Sequence, residues 1–170
     1  MLKKIVWFTG LSGSGKTTLA NFLYNSLKKK YKVKIIDGDI FRKKNKNKNN
    51  FSRKNIYQNN ILIIKYLTNI IKKYDYILVA VVSPLLKTRL LAKKKFKNKY
   101  YEVYVYCKIS TLINRDTKGL YKLAQKKIIT NLIGYNSKIK YQKSKYKKII
   151  INTDKSTPKK SINLILNKVK

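Results

Sequence analysis

The sequence predicts an α/β fold in three layers, with a five-stranded parallel sheet covered by helices on both faces. Strand-length apolar runs alternate with helix-length amphipathic stretches along the whole chain. The first unit is a buried strand, a glycine-rich loop and a helix in direct succession. A length of 170 residues with 44% hydrophobic content suits one ordinary domain with a substantial core. We therefore expect residues 1–170 to form a single domain.

The amino-terminal half supplies two strands and two helices. The first strand is expected at Ile5–Thr9, and the pattern "KTTLANFLYNSLKK" predicts a helix from residue 16 to about residue 29. The second strand is "KVKIIDGD", residues 32–39, after which "KKNKNKNN", residues 43–50, indicates a polar, mobile loop. A second helix is expected from about residue 54 to residue 73. One face of the first helix is predicted to hold Leu19, Phe22, Leu23 and Leu27.

The carboxyl-terminal half supplies the other three strands. They are expected at residues 74–82 ("YDYILVAVV"), 100–107 ("YYEVYVYC") and 147–153 ("KKIIINT"). A short helix follows Ser83-Pro84, and a lysine-rich helical stretch lies near residues 120–127. Thr157 as N-cap before Pro158 predicts a closing helix to about residue 169.

Composition limits the classes of function. The 42 Lys and Arg residues outnumber six acidic residues, which gives a net charge of +36 and suggests nucleic-acid binding. We favour a coding bias instead, because the lysines are spread along the chain together with Asn, Ile and Tyr, all of which have A/T-rich codons.

No apolar run approaches the roughly 20 residues that span a bilayer, so a soluble cytoplasmic protein is expected. A single cysteine, Cys107, and the absence of histidine exclude an intrachain disulfide and a His/Cys zinc site.

The loop after the first strand carries the strongest chemical signal. Residues 10–17, "GLSGSGKT", match G-x-x-x-x-G-K-[ST] between a strand and a helix, as phosphate binding requires. The backbone N–H groups of residues 13–15 are expected to surround the phosphates of a nucleoside triphosphate, aided by the helix dipole. Lys16 is expected to reach the β- and γ-phosphates, and the Thr17 hydroxyl to bind Mg²⁺, which prefers oxygen ligands. The alternative is a flexible Gly/Ser turn that caps the helix.

Two carboxylates two positions apart form the second signal, in a chain that has few. Asp37 and Asp39 follow the second strand, at the sheet edge where ligands bind in open α/β folds. This position predicts that both face the phosphate loop. The structural alternatives are an Asp-Gly turn for Asp37 and a helix N-cap for Asp39.

Six short motifs follow one another along the chain. They are, in order, "VWFTGLSGSGKTTLA", "DGDIFR", "FS" at residues 51–52, "SP" at residues 83–84, "EVYV" at residues 102–105 and "RDTKGLY" at residues 115–121. In these motifs the chain resembles the adenylylsulfate (APS) kinases, which transfer the γ-phosphoryl group of ATP to the 3′-hydroxyl of adenylyl sulfate. The resemblance covers nearly the whole chain and implies a P-loop kinase fold (the P-loop NTPase sandwich) that uses ATP and Mg²⁺.

The resemblance implies roles for the matching residues. Asp39, catalytic together with Lys16, would accept the proton of the 3′-hydroxyl or orient Mg-bound water, while Asp37 positions substrate or metal. Arg42 would pair with the phosphate or sulfate of the substrate, and Phe51 would stack on adenine. The implied Mg-ATP cradle consists of Gly10, Leu11, Ser12, Gly13, Ser14, Gly15, Lys16, Thr17 and Thr18. The implied substrate-binding residues are Asp37, Asp39, Arg42, Phe51, Asn59 and Leu132.

Two further segments have alternatives. Arg115, Asp116 and Lys118 are implied parts of a mobile lid, about residues 115–134, that closes over ATP; the alternative is a solvated helix start. Ser83 is implied near the site as a candidate phosphoryl acceptor, although Ser-Pro before a helix is also an ordinary N-cap pair. Because no histidine is present to activate Ser83, we favour direct in-line transfer to the substrate.

The acceptor half departs from the family pattern, whereas the ATP half is kept. An Asp-Arg pair, an adenine-stacking aromatic and two acidic residues are replaced. The lost arginine would weaken anion binding about tenfold to a hundredfold unless Arg53 or Lys54 compensates. Drift under the coding bias and a different nucleotide-linked acceptor both explain the changes, and we favour drift. The substituted positions are Asn55, Ile56, Leu132, Asn136 and Lys140.

The expected function is adenylyl-sulfate kinase, an ATP-dependent kinase of sulfate activation. The same-class alternative is a related P-loop kinase that acts on another nucleotide-linked small molecule, for example in polysaccharide biosynthesis. The different-class alternative is a basic nucleic-acid-binding ATPase. The expected partners are the small molecules ATP and adenylyl sulfate rather than a membrane or a nucleic acid, with a homodimer kept open.

Overall fold

The computed structural model describes residues 3–44, 52–146 and 148–169, and it contains the five expected strands in one parallel sheet. The strand order is β2-β3-β1-β4-β5, so the first strand of the chain lies at the centre. Every neighbouring pair is parallel. The strands are β1 Lys4–Thr9, β2 Val33–Asp37, β3 Tyr76–Ala80, β4 Tyr100–Tyr106 and β5 Ile149–Asn152.

Helices connect the strands. Two of them, α2 and α5, were not predicted, and the second strand ends at residue 37 because Gly38 and Asp39 already belong to α2. The predicted mobile loop begins inside α2 at Lys43, and its residues 45–50 lie outside the described ranges. No helix in the described ranges is both long enough and apolar enough to cross a membrane. The helices are α1 Lys16–Leu27, α2 Gly38–Lys44, α3 Arg53–Ile70, α4 Leu86–Phe96, α5 Ile109–Arg115, α6 Leu120–Gln125 and α7 Pro158–Val169.

The core consists of two apolar layers, one on each face of the sheet. All six residues of β1 are buried, and their side chains alternate between the layers. Phe8 packs with Leu23 of α1, in a cluster that includes α7. Trp7 packs with Ile63 of α3, in a cluster that includes α4. The predicted three-layer architecture is therefore present.

The predicted apolar face of α1 was wrong at one residue. Leu19, Leu23 and Leu27 are buried against the sheet, but the side chain of Phe22 is 48% exposed. Ala20 occupies the buried side instead, because the helix turns its 19/20/23/27 stripe toward the sheet and leaves Phe22 on the flank. The closing helix α7 begins as predicted, and the Thr157 hydroxyl accepts a hydrogen bond from the backbone N–H of Lys160 at 3.4 Å.

Candidate active site

The phosphate loop connects the carboxyl end of β1 to the amino end of α1. It starts at Gly10, whose φ of +148° and close contact with β4 require the absence of a side chain. A Cβ atom there would lie 2.2 Å from the carbonyl oxygen of Val105. The hydroxyl of Ser14 is buried and has no hydrogen-bond partner in the described part of the chain. The loop thus holds an unsatisfied polar atom at the site where a phosphate is expected.

Lys16 is the first residue of α1, and its side chain folds back over the loop. Its Nζ donates a hydrogen bond of 2.6 Å to the carbonyl oxygen of Leu11. Burial, and then the charge of Lys118, lower the pKa of Lys16 to about 8, while Asp39 and Asp37 oppose the shift. Incoming phosphates would add negative charge beside Lys16 and favour its protonated form.

Thr17 and Asp37 join the phosphate loop to the end of β2. The Thr17 hydroxyl donates a hydrogen bond of 2.8 Å to Oδ2 of Asp37. The other oxygen, Oδ1, accepts from the backbone N–H groups of Asp39 at 2.9 Å and Ile40 at 3.2 Å. Asp37 therefore caps α2, so the N-cap alternative predicted for Asp39 was wrong; it applies to Asp37 instead.

The same two side chains suit Mg²⁺. A hydroxyl and a carboxylate oxygen in contact are hard donors of the kind that Mg²⁺ takes, with water and phosphate oxygens as its remaining ligands. In the residues that the structure describes, no three His, Cys, Asp or Glu side chains gather into a metal cluster. These two side chains could therefore hold Mg²⁺ together with phosphate oxygens of a nucleotide.

Asp39 lies in the first turn of α2 and forms ion pairs with two cations. Its Oδ1 is 2.8 Å from Arg42 Nη2, one turn along the same helix, and its Oδ2 is 2.5 Å from Lys118 Nζ. Burial alone would raise the pKa of Asp39, but the hydrogen bond and charge of Lys118, with Arg42 and Lys16, outweigh burial and lower it. The carboxylate is therefore held ionised beside the phosphate loop.

The expected lid, residues 115–134, packs against the phosphate loop. Asp116 separates α5 from α6, and its two carboxylate oxygens accept the backbone N–H groups of Tyr121 at 3.0 Å and Lys122 at 2.9 Å. The Tyr121 hydroxyl donates to the carbonyl oxygen of Ser12 at 3.0 Å. The segment that was predicted either as a lid or as a solvated helix start is therefore a capped turn in contact with the loop.

Arg115 is linked to the phosphate loop by Thr153, the residue that directly follows β5. Its Nη2 donates to the carbonyl oxygen of Thr153 at 2.9 Å, and its Nη1 to the Thr153 hydroxyl at 3.2 Å. That hydroxyl lies 3.2 Å from the carbonyl oxygen of Ser14. Arg115 and Lys118 thus lie on opposite sides of the loop, one toward β5 and the other toward β2.

Leu132 lies within the expected lid and belongs to a small apolar cluster that joins the lid to α5 and the end of β4. It is buried together with Cys107, Leu112, Tyr121 and Ala124. Cys107, the chain's single cysteine, is thus a buried core residue. Because Leu132 is buried in this arrangement, contact between Leu132 and a substrate requires the lid to change position.

Ser83 lies in the segment between β3 and α4 and is buried. The helix starts at Leu86 with Leu85 as its cap residue, so the N-cap alternative for Ser83 was wrong. Its backbone has a φ of 44°, and its hydroxyl is 3.4 Å from that of Thr88. The Ser83 hydroxyl is therefore buried next to α4, the helix that contains Thr88.

The remaining substrate-side residues are only partly placed. Asn59 of α3 is buried, and its Oδ1 has no hydrogen-bond partner in the described part of the chain. Arg42 is placed by its ion pair with Asp39. Phe51 lies outside the described residues.

Sequence reasoning missed Thr153, which contacts both Arg115 and the phosphate loop. Its position directly after the last strand was an available signal, because the carboxyl ends of parallel strands meet at one edge. Tyr121 lay within a quoted motif, but its contact with Ser12 spans 109 residues of sequence, and no local pattern indicates such a contact.

Comparisons with known proteins add to this geometry. The family model described as Adenylylsulphate kinase matches residues 3–152. A probable adenylyl-sulfate kinase of Archaeoglobus fulgidus is 34% identical over 153 residues, which cover 89% of this chain and 97% of that protein. A cytidine diphosphoramidate kinase of Campylobacter jejuni is 33% identical, with 97% of this chain and 95% of that protein covered.

A solved structure matches with similar extent. The APS kinase of Mycobacterium tuberculosis, in complex with AMPPNP and APS, has a TM-score of 0.85 at 30% identity. The match covers 96% of this chain and 97% of that one. The predicted fold class and the resemblance stated from the motifs are both confirmed.

Proposed function

Because the chain belongs to the adenylylsulphate kinase family, we propose that it transfers the γ-phosphoryl group of ATP to the 3′-hydroxyl of adenylyl sulfate. The products are 3′-phosphoadenylyl sulfate and ADP. Family membership also confirms the expected class, an ATP-dependent kinase. The observation that carries the proposal is the contact of 2.8 Å between Thr17 and Asp37, which joins the phosphate loop to the strand end that bears Asp39.

One set of residues is proposed to bind ATP and a second set to bind the acceptor. The backbone of the phosphate loop and Lys16 hold the triphosphate, with Arg115 and Lys118 on the lid side. Thr17 and Asp37 would hold Mg²⁺, which when bound would supply positive charge beside the transferring phosphoryl group. Arg42 and Asn59 lie on the acceptor side, and Phe51 stays a prediction for stacking on the acceptor's adenine.

Asp39 is the proposed residue that meets the acceptor hydroxyl. Since its pKa is lowered, it holds a proton weakly and acts chiefly by orienting the 3′-hydroxyl. This role suits phosphoryl transfer, in which the attacking oxygen needs little deprotonation before a loose transition state. Ser83 is not assigned a covalent role, because its hydroxyl is buried against Thr88.

A second candidate acceptor class is supported by one observation. The Campylobacter jejuni relative, a cytidine diphosphoramidate kinase, is 33% identical to this chain, close to the 34% of the probable adenylyl-sulfate kinase of Archaeoglobus fulgidus. Similarity alone therefore does not rank the acceptors. The candidate is a kinase that uses the same ATP half and phosphorylates a different nucleotide conjugate.

The experiment is an acceptor panel. Release of ADP is measured with MgATP and, separately, adenylyl sulfate, adenosine monophosphate, cytidine diphosphoramidate and no acceptor. We expect the highest kcat/KM with adenylyl sulfate and a product phosphorylated at the 3′ position by mass spectrometry. Turnover of the cytidine conjugate without turnover of adenylyl sulfate would replace the first candidate with the second.

A further inference from the structure

A basic pocket opens on the acceptor side of the sheet edge, apart from the phosphate loop. Its volume is about 350 Å³. Three of its lining side chains are cations, and none is an acid. We name it the basic pocket, and it is lined by Arg53, Leu85, Lys138, Ile139, Lys140 and Gln142.

The pocket is formed by three separate segments of the chain. Arg53 is the first residue of α3, directly after Ser52, whose hydroxyl caps that helix by accepting from Asn55 N at 3.2 Å. Leu85 belongs to the segment that connects β3 to α4. The third wall is the stretch 138–142, which follows the lid. The pocket thus joins the start of α3, where acceptor residues are expected, to the Ser83-Pro84 segment.

The third wall is fixed by hydrogen bonds to the second. The backbone N–H of Gln142 donates to the carbonyl oxygen of Pro84 at 2.9 Å, and its side-chain Oε1 accepts from Leu86 N at 2.8 Å. Both contacts hold the stretch 138–142 against the start of α4. The backbone that carries Lys138 and Lys140 is therefore held near α4 by Gln142, whereas the two lysine side chains are exposed.

A buried arginine strengthens this anchor. Arg89 of α4 is fully buried and donates hydrogen bonds to the carbonyl oxygens of Gln142 and Ser83. Its Nε lies 3.3 Å from Oε2 of the buried Glu102. Tyr146 and Ser144 donate hydrogen bonds to the same carboxylate. A buried charge pair with these partners specifies one arrangement of the stretch, because any other leaves a buried charge unpaired.

Acidic side chains do not neutralise the basic pocket. The sequence has six, and each is engaged elsewhere in the structure. Asp37 and Asp39 serve the phosphate loop and its cations, Asp75 binds Lys3 and Lys32, and Glu102 binds Arg89. The other two bind backbone N–H groups, Asp116 at α6 and Asp154 at Lys108. The positive charge of the pocket is therefore left for a ligand.

We propose that the basic pocket binds the anionic phosphate or sulfate group of the acceptor, with Arg53 and Lys140 as its principal cations. The identity of the acceptor rests on the proposed function. Arg53 precedes Ile56 by three positions, so both project from the same side of α3. A cation at residue 53 thus supplies charge near the place where the resemblance implies a missing arginine.

The first experiment compares Arg53→Gln, Lys140→Gln and their double variant with wild type. For each, KM is measured for acceptor and for ATP, together with kcat. Each single variant is expected to raise the acceptor KM about threefold to tenfold, a range set by exposed charges that salt screens. The KM for ATP is expected to stay constant. Lys143→Gln, an exposed lysine of the next stretch outside the pocket, is the matched control and should change neither value.

Two outcomes of that experiment decide the proposal. The proposal is supported if the acceptor KM of the double variant exceeds that of wild type and if the ratio of the two values falls as NaCl is added. An acceptor KM in the double variant equal to that of Lys143→Gln overturns it. Thermal unfolding of each variant verifies that the exchanges, all at exposed positions, leave the fold intact.

A second experiment needs no turnover. Lysines of the wild-type protein are acylated with and without inorganic pyrophosphate, and the modified sites are quantified by mass spectrometry. Pyrophosphate should protect Lys138 and Lys140 but not Lys143, and equal protection of all three overturns the proposal. If adenylyl sulfate gives no turnover but pyrophosphate protects Lys138 and Lys140, the proposed function is wrong and anion binding in the basic pocket is supported. If adenylyl sulfate is turned over but neither lysine is protected, the proposed function is supported and the pocket proposal is wrong.

Discussion

Asp39 connects the two substrates at the scale of single residues. Its carboxylate contacts one cation on its own helix, Arg42, and one on the lid, Lys118. The ion pair of Lys118 with Asp39 therefore links the lid to the proposed acceptor side. When phosphates enter, Lys118 gains a competing set of anionic partners, which would free Oδ2 of Asp39 for the acceptor hydroxyl.

Asp39→Asn should fold normally and lose most of its phosphoryl transfer. The amide keeps the shape of the side chain but removes the charge that orients the hydroxyl, so we expect kcat to fall about 10²–10⁴-fold. Steady-state release of ADP with saturating substrates measures this loss. Asp75→Asn removes the same charge at the other end of the sheet, beside Lys3, and should leave kcat unchanged. Equal activity in the two variants would remove Asp39 from the chemistry.

Lys16 predicts a pH dependence of ATP binding. Its pKa is about 8 in the free protein, so above pH 8 it is mostly neutral and must regain a proton when phosphates bind. We expect ATP affinity to fall as pH rises above about 8, with an uptake of about one-tenth of a proton at pH 7 and about nine-tenths at pH 9.

Calorimetric titration in buffers of different ionisation enthalpy measures that uptake. Lys118→Gln removes the second cause of the lowered pKa, so the rise in uptake should move to higher pH. Lys122→Gln, an exposed lysine of the lid, should leave the curve unchanged. Equal uptake at pH 7 and pH 9 in wild type would contradict the prediction.

At the scale of elements, the lid and the phosphate loop meet at a glycine. Gly134 has a φ of +83°, and a Cβ atom there would lie 2.6 Å from both Cδ atoms of Leu11. A side chain at this position would push Leu11, and with it the loop, away from the lid. Gly119 has a similar φ of +66° but no atom within 4 Å of a Cβ, so it isolates the backbone cost.

This pair gives a matched prediction. Gly119→Ala should cost about 1 kcal/mol of unfolding free energy, because an L-residue is strained at positive φ. Gly134→Ala should cost about 1–3 kcal/mol more and raise the KM for ATP, because Leu11 must repack. Urea unfolding and ATP kinetics on both variants test this difference. Equal effects in the two variants would show that Leu11 yields without cost.

The elements that sequence predicted best are the long, periodic ones. The five strands and helices α1, α3, α4 and α7 lie close to their predicted positions. The helices α2 and α5 were missed, and both have only seven residues. The start of α2 is stabilised by the carboxylate of Asp37, which precedes it, and α5 begins at Ile109 without a side-chain cap from Lys108. The acidic first turn and basic last turn of α2 were an available signal, but seven residues are too few to show a helical period.

The candidate site was predictable where its residues directly follow the ends of strands. Strand ends placed Asp37 and Asp39 beside the phosphate loop, because parallel strands share one carboxyl edge. The ion pair of Lys118 with Asp39 was not predictable, since 79 residues separate the partners. Contacts of this kind depend on how the lid folds back, which no local pattern encodes.

At the scale of the whole molecule, the net charge of +36 opposes compaction. Exposed lysines repel one another over a screening length of about 10 Å at 0.1 M salt. The melting temperature should therefore rise by several degrees between about 20 and 150 mM NaCl. The double variant Lys29→Glu with Lys94→Glu, at two exposed positions, lowers the net charge and should give a shallower rise. Scanning calorimetry of both proteins measures the slopes, and equal slopes would contradict the repulsion argument.

The central position of β1 has a consequence for synthesis of the chain. The strand made first pairs with β3 and β4, whose residues 76–80 and 100–106 leave the ribosome much later. A nascent chain that ends before residue 100 therefore carries the strand that becomes central and fully buried with one edge open to other chains. Rapid arrival of β4, or cover by a chaperone, is then a condition for productive folding.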